Sequence, residues 1–302
     1  MVVGAVARRR RPSLMRIVVL GAAGQLGTEV VLHLEGLGHH EVIPLDRERC
    51  NVAVRDSVLG SLTSVRPDAV INCAAFTAVD ACEAELGKAY VMNTLAVRHI
   101  AEACRAVEAH LVHLSTDYVF DGRKHDAYHE WDTTNPQSVY GRSKLAGEVE
   151  AQRLCPSGSV VRTSWVCGYH GANMVKTILR LAGEHKTLSF VDDQRGHPTF
   201  TADLAPALVR LAVERRPGLF HLTNDGDVSW YEFAEAVLEA GGMDPARVRP
   251  TTTGRLKPAR PAPRPMNSVL DNAAWRFSGL PPLRNFREPL TELVTLLLAD
   301  HD

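Results

Sequence analysis

The 302-residue chain has no surplus of charge of either sign: 34 Lys and Arg stand against 35 Asp and Glu, a formal net charge of −1. That balance offers no electrostatic field to duplex nucleic acid or to an anionic membrane, so neither partner is expected. No uninterrupted apolar run approaches the ~18 residues of a membrane helix. The six cysteines (Cys50, Cys73, Cys82, Cys104, Cys155 and Cys167) include no C-x-x-C pair. They read as reduced thiols rather than a disulfide framework, which places the chain in the cytoplasm. What is present is ordinary for a globular protein, 45% hydrophobic and 23% charged, and this excludes disorder, collagen-like repeats and coiled coil. At ~150 residues per domain, the length suits about two domains. Residues 1–14 put valines and alanines ahead of Arg8 to Arg11, the reverse of a signal peptide. They read as a disordered basic leader, or as sequence upstream of a natural start at Met15, in preference to a nucleic-acid or targeting arm.

From Met15 short apolar runs alternate with amphipathic stretches. Arg16 to Leu20, Glu41 to Leu45, Ala69 to Ala75, Leu111 to Leu114 and Ser159 to Arg162 read as strands. Val97, Ile100, Ala101 and Cys104 share one helix face. Continuous apolar strands alternating with helices predict a doubly wound α/β domain of Rossmann type, its parallel sheet covered on both faces. Beyond residue 165 the texture changes. Leu204, Leu208, Leu211 and Ala212 share a face. Ser229 and Glu232 form a capping box ahead of Phe233 and Val237, and Gly241 ends that helix. Pro245 to Pro265 holds six of the 17 prolines and reads as extended and irregular. A last helix near Glu288 to Ala299 turns Leu290, Leu293, Val294 and Leu297 inward.

Three motifs carry chemistry. Gly21-Ala-Ala-Gly24-Gln25-Leu26-Gly27 follows the first strand and opens a helix. Gly21 permits the tight turn, Gly24 lets backbone approach a pyrophosphate, and Gly27 lets helix and strand pack closely. The next strand ends in Asp46, 19 residues after Gly27, where a carboxylate would meet an adenosine ribose. Tyr140 and Lys144 stand one helical turn apart, so the lysine cation should lower the phenol's pKa and fit it to donate a proton to a carbonyl oxygen. Ser115-Thr116-Asp117-Tyr118-Val119-Phe120 closes the fourth strand, at the carboxyl ends of the strands where ligands bind. Asn93 reads either as a helix-bending polar residue or as a proton-relay link behind Lys144.

Together these residues resemble the extended short-chain dehydrogenases, and within them the dTDP-4-dehydrorhamnose reductase family. The resemblance runs from Met15 nearly to the end. It rests on the G-x-x-G-x-x-G spacing, Asn72 to Glu83 (NCAAFTAVDACE), STDYVFDG and YGRSKLAGE. It extends through Arg162-Thr-Ser-Trp165-Val, Asp192-Asp-Gln-Arg-Gly-His-Pro198-Thr and Arg264-Pro-Met-Asn-Ser268-Val-Leu-Asp. The resemblance implies reduction of the C4 ketone of dTDP-4-dehydro-L-rhamnose to dTDP-L-rhamnose by NADPH or NADH. It makes Tyr140 the general acid, Lys144 its tuner and Thr116 a hydrogen-bond partner at the substrate carbonyl. Gly21, Gly24, Gln25, Leu26 and Gly27 would meet the cofactor pyrophosphate and Asp46 its adenosine end. Asn51 and Val52 would flank the adenine, and Ala74, Ala75 and Phe76 the middle of the cofactor. Asp117 and Trp165 would contact substrate, with core packing at a domain junction as the other reading of Trp165. Arg260 and Arg264 are candidates for the substrate diphosphate.

The family also interleaves its domains. A nucleotide domain of residues 15–165 plus about 200–217 would carry a smaller substrate domain of about 166–199 plus 218–302. Phe76 stands where the family often has Tyr or His, and Cys167 follows RTSWV where Tyr is usual. Glu29 matches one acid of the family's magnesium site, but Ala202 replaces another and no Cys/His cluster substitutes, so no metal ligands are assigned. Asp46 would repel a 2′-phosphate that Arg47 could bind. A homodimer is left open. The rival readings are a reductase of another dTDP-4-keto-6-deoxy sugar, a nucleotide-sugar epimerase, and a non-catalytic NADP-binding regulatory subunit.

Overall fold

A computed structural model describes residues 14–300, so the leader expected over residues 1–14 lies outside it except for Leu14. The nucleotide half begins with strand β1 (Arg16–Leu20), helix α1 (Gln25–Leu37), β2 (Glu41–Leu45), α2 (Arg55–Val65) and β3 (Ala69–Asn72). Two short helices, Val79–Ala84 and Leu86–Tyr90, and a π-helical turn, Val91–Leu95, lead into α3 (Ala96–Ala106). Then come β4 (His110–Thr116), α4 (Val139–Leu154) and β5 (Ser159–Thr163). The smaller lobe opens with α5 (Met174–Glu184) and β6 (Leu188–Val191). The chain returns through α6 (Thr201–Glu214) and β7 (Gly218–His221). It ends with α7 (Trp230–Ala240), β8 (Val248–Thr251), α8 (Ala273–Phe277) and α9 (Arg287–Ala299).

Six parallel strands form the main sheet in the order β7-β5-β4-β3-β1-β2. Both faces are dry. Ile17 and Val19 of β1 join Ile71, Val112 and Val161 under α1 and α6, whereas Val18 and Leu20 join Val70, Leu111 and Val160 under α2, α3 and α4. This two-sided burial is why the strands read as continuous apolar runs rather than alternating ones. The strand order reverses between β1 and β3, and that reversal opens a crevice at the carboxyl ends of the strands. Among the described residues no helix is long and apolar enough to cross a membrane.

Three expectations need adjusting. The third strand stops at Asn72, because the Asn72 side chain accepts from the Ala74 N–H (3.1 Å) and turns the chain there, leaving Cys73 outside the strand. The return to the large sheet runs past residue 217: β7 pairs in parallel with β5, and Trp275 of α8 is buried in the same core. The proline-rich segment is not wholly irregular. Val248–Thr251 pairs with β6 as one edge of a two-stranded sheet, a place where Pro250 can lack its donor.

Candidate active site

The glycine turn is held by contacts that leave no room for side chains. Gly21 has φ +73° and its N–H donates to the Leu45 carbonyl at 2.9 Å. A Cβ on Gly21 would lie 2.8 Å from the Ala74 nitrogen, and one on Gly27 only 2.1 Å from the Gly21 oxygen. Gly24 is the N-cap of α1 and has no side chain to close the helix end, so the first-turn N–H groups point outward. Beside them is a cavity of about 250 Å³ lined by Gly21, Gly24, Asp46, Arg47, Asn51, Val52, Ala74 and Ala75. This cradle fits a dinucleotide: bare amide donors for the pyrophosphate, with apolar walls and a carboxylate at the far end.

Other residues expected at the cofactor are placed differently. The Gln25 side chain reaches the smaller lobe, donating to the Val166 carbonyl (3.0 Å) and accepting from Asn173 Nδ2 (2.9 Å). Leu26 packs into the core, so what both residues offer a ligand is backbone. Asp46 Oδ1 already accepts from the Glu48 and Arg49 N–H groups at 3.0 and 2.9 Å. Phe76 lies outside the cavity, packed with Val139, Tyr140 and Tyr118. Asn93, in the π-turn, accepts from the Phe76 N–H (2.8 Å) and donates to the Phe76 carbonyl and Ser143 Oγ (both 3.0 Å), rather than reaching Lys144.

Helix α4 carries Tyr140 and Lys144, the expected reactive pair. Ser138 caps it by accepting from the Gly141 N–H at 3.1 Å, and a Cβ on Gly141 would meet the Tyr118 carbonyl at 2.2 Å. The absent side chain thus lets Tyr140 settle edge-on against Tyr118, ring centroids 5.5 Å apart. The Tyr140 phenol does not titrate as expected. Burial pushes it above the usual tyrosine range, with the Thr116 hydroxyl beside it acting in the opposite direction. The Lys144 ammonium donates instead to the Leu114 carbonyl at 2.5 Å. Burial lowers Lys144 to about 8, with Glu148 and Cys73 opposing.

Thr116 Oγ1 donates to Asp117 Oδ1 at 2.9 Å and accepts from the Tyr118 N–H at 3.2 Å. A second cavity, also about 250 Å³, is lined by Tyr118, Phe190, Val191, Gln194, Trp230, Arg260 and Arg264. Arg264 is bidentate on Asp80, its second bond 2.7 Å, and Arg260 stands 3.7 Å from the same carboxylate. Trp165 is not on this wall. With φ +44°, it stacks 3.6 Å from Trp230, which is. Among the described residues no group of three or more His, Cys, Asp or Glu could hold a metal.

Sequence reasoning missed Trp230, Asp80 and Glu148. Asp80 sits inside the NCAAFTAVDACE stretch and Glu148 one turn past Lys144, so position alone could have flagged them. Trp230, directly after its Ser229 cap, gave no such signal.

The doubly wound sheet, glycine cradle and buried Tyr-x-x-x-Lys helix together define an extended short-chain dehydrogenase/reductase. Within that class, the chain belongs to the family of the RmlD substrate binding domain, whose model matches residues 15–298. It is 44% identical over 283 residues to a dTDP-4-dehydrorhamnose reductase of Streptomyces griseus, covering 92% of each chain. It is 41% identical over 286 residues to a dTDP-4-keto-6-deoxy-D-glucose reductase of Streptomyces niveus, covering 94% of this chain and 98% of that one. A crystal structure of dTDP-4-dehydrorhamnose reductase from Bacillus anthracis in complex with NADP matches with a TM-score of 0.89 at 35% identity, over 93% of this chain and 98% of the other.

Proposed function

We propose that the chain reduces the C4 ketone of dTDP-4-dehydro-L-rhamnose to dTDP-L-rhamnose, using NADPH. The observation that carries this is the position of one pair between two cavities. Lys144 lies beside Cys73, at the glycine-cradled cavity, and Tyr140 lies against Tyr118, on the wall of the arginine-lined one. The cradle residues would hold a reduced nicotinamide cofactor, which would supply the hydride for the carbonyl carbon. Tyr140 Oη delivers the proton to the carbonyl oxygen, so the ketone becomes an alcohol. Lys144 balances the phenolate left behind and holds a ribose hydroxyl. Thr116 donates to the carbonyl oxygen, the buried Asp117, expected on the sugar, lies behind Thr116 instead, and Arg260 and Arg264 take the diphosphate when Asp80 yields them. Arg47, on the cavity wall, supplies a cation for a 2′-phosphate, and Asp46 retains one oxygen for a ribose without it, so NADH is the secondary donor.

A related keto sugar is the second reading, because relatives of nearly equal identity, 44% and 41%, carry different sugar names. The test mixes pure protein, NADPH and a panel of dTDP-4-keto sugars and follows absorbance of the reduced cofactor. Tyr140→Phe should abolish turnover while cofactor affinity stays within about twofold. Undiminished turnover by Tyr140→Phe refutes the mechanism, and joint loss of turnover and cofactor binding makes the tyrosine structural.

A further inference from the structure

A hydroxyl has one hydrogen to give, and the Thr116 hydrogen is already directed at Asp117 Oδ1. The Tyr118 N–H donates into the same Thr116 oxygen. Asp117 is 2% exposed, and its Oδ2 meets no hydrogen-bond partner among the described residues. Besides the Thr116 hydroxyl and the Asp117 and Tyr118 N–H groups, three side chains face this carboxyl: Tyr118 from its own turn, Tyr140 from α4, and Ser268 from the smaller lobe. The Ser268 hydroxyl is directed to the Arg195 carbonyl at 3.2 Å. Arg260 and Arg264 act on Tyr118 and are paired with Asp80. No described cation is bonded to Asp117.

We propose that Asp117 is a positioning residue whose protonation sets the donor direction of Thr116. As a carboxylate it takes the Thr116 hydrogen, leaving that hydroxyl unable to donate to a ketone. As a carboxylic acid it gives Thr116 a hydrogen and frees the Thr116 hydrogen for the substrate carbonyl. Burial pushes Asp117 up to about 6, so the favourable form dominates below that pH and is lost above it. The inference rests on the reading of Thr116 as the donor at the substrate carbonyl.

The experiment measures kcat/KM for the keto sugar with NADPH from pH 5 to 7, below the Lys144 titration at about 8. Titration at about 6 predicts a fall of about tenfold across that range in the wild type. In Asp117→Asn the amide N–H donates to Thr116 at every pH, so the fall should shrink to within about twofold, whatever the absolute rate. A flat wild-type profile, or coincident wild-type and Asp117→Asn profiles, overturns the inference alone. Absence of turnover on any keto sugar at any pH overturns the reductase reading and this inference with it.

Discussion

Replacing Gly27 and Gly36 of α1 by alanine should have opposite consequences, although both are the same change on one helix. At Gly27 the new Cβ would lie 2.1 Å from the Gly21 oxygen and 2.8 Å from its carbonyl carbon, whereas real Cβ contacts keep beyond 3.0 Å. The obstacle is backbone, so either the turn or the helix must retreat by roughly 1 Å; overpacking of this kind costs about 1–3 kcal/mol. The helix propensity of alanine returns about 1 kcal/mol, leaving a net loss of up to about 2 kcal/mol. The displaced atoms belong to the cofactor cradle, and a shift of that size in positioned groups can cost about 10²-fold. Around Gly36 nothing lies within 4 Å of the new Cβ, so alanine should stabilise by about 0.5–1 kcal/mol with cofactor affinity unchanged. Urea unfolding measures the first quantity and titration of NADPH fluorescence the second. If Gly27→Ala binds NADPH within twofold of wild type, or both variants shift the urea midpoint in one direction, the cradle geometry is wrong.

Arg162 and Glu148 form a bidentate pair, 2.9 and 2.7 Å, with side chains 4% and 2% exposed. Arg162→Met should therefore cost about 3–5 kcal/mol in urea unfolding by stranding the carboxylate, and adding Glu148→Leu should recover most of it. A loss below 1 kcal/mol for Arg162→Met would show that water reaches the pair. Arg264→Ala should raise KM for the nucleotide sugar at least tenfold with little change in kcat, and Arg264→Lys should restore it only partly because lysine lacks the planar fork. An unchanged KM in steady-state assays removes Arg264 from the diphosphate site.

How much of this was legible in the residues depends on how local each feature is. The inner strands β1, β3, β4 and β5 announced themselves because each buries both faces, whereas the more exposed edge strand β7 did not; the helices at Val97 to Cys104 and Leu290 to Leu297 were legible because each buries one face. The glycine turn was legible because a backbone-to-backbone contact leaves a glycine behind as its trace. Pairings across the lobes left no comparable trace. Gln25 looked like a pyrophosphate residue, yet its amide is spent on Val166 and Asn173, more than 140 positions away. Trp165 looked like a substrate contact, but its partner Trp230 holds the cavity wall. Asp46 was found by spacing, and spacing could not reveal that one of its oxygens caps the following turn.

The reactive pair shows why a motif understates its own chemistry. Spacing alone suggests that Lys144 acidifies Tyr140, but in a dry site the cost of charging the phenol dominates, and the net charge of the surroundings decides what can lower it. Around Lys144, burial raises the Cys73 thiol to about 12 and holds His113 well below its usual range, so both are neutral. Glu148 is the nearby anion, and Arg162 neutralises it. The result is one uncompensated ammonium in a low-dielectric pocket, poised to stabilise negative charge that develops beside it. Opposing it on the Tyr140 side is Asp117, whose ionised form pushes the phenol further up. A neutral Asp117 therefore does two things through one proton: it releases the Thr116 hydrogen, and it removes a carboxylate charge that resists formation of the Tyr140 phenolate.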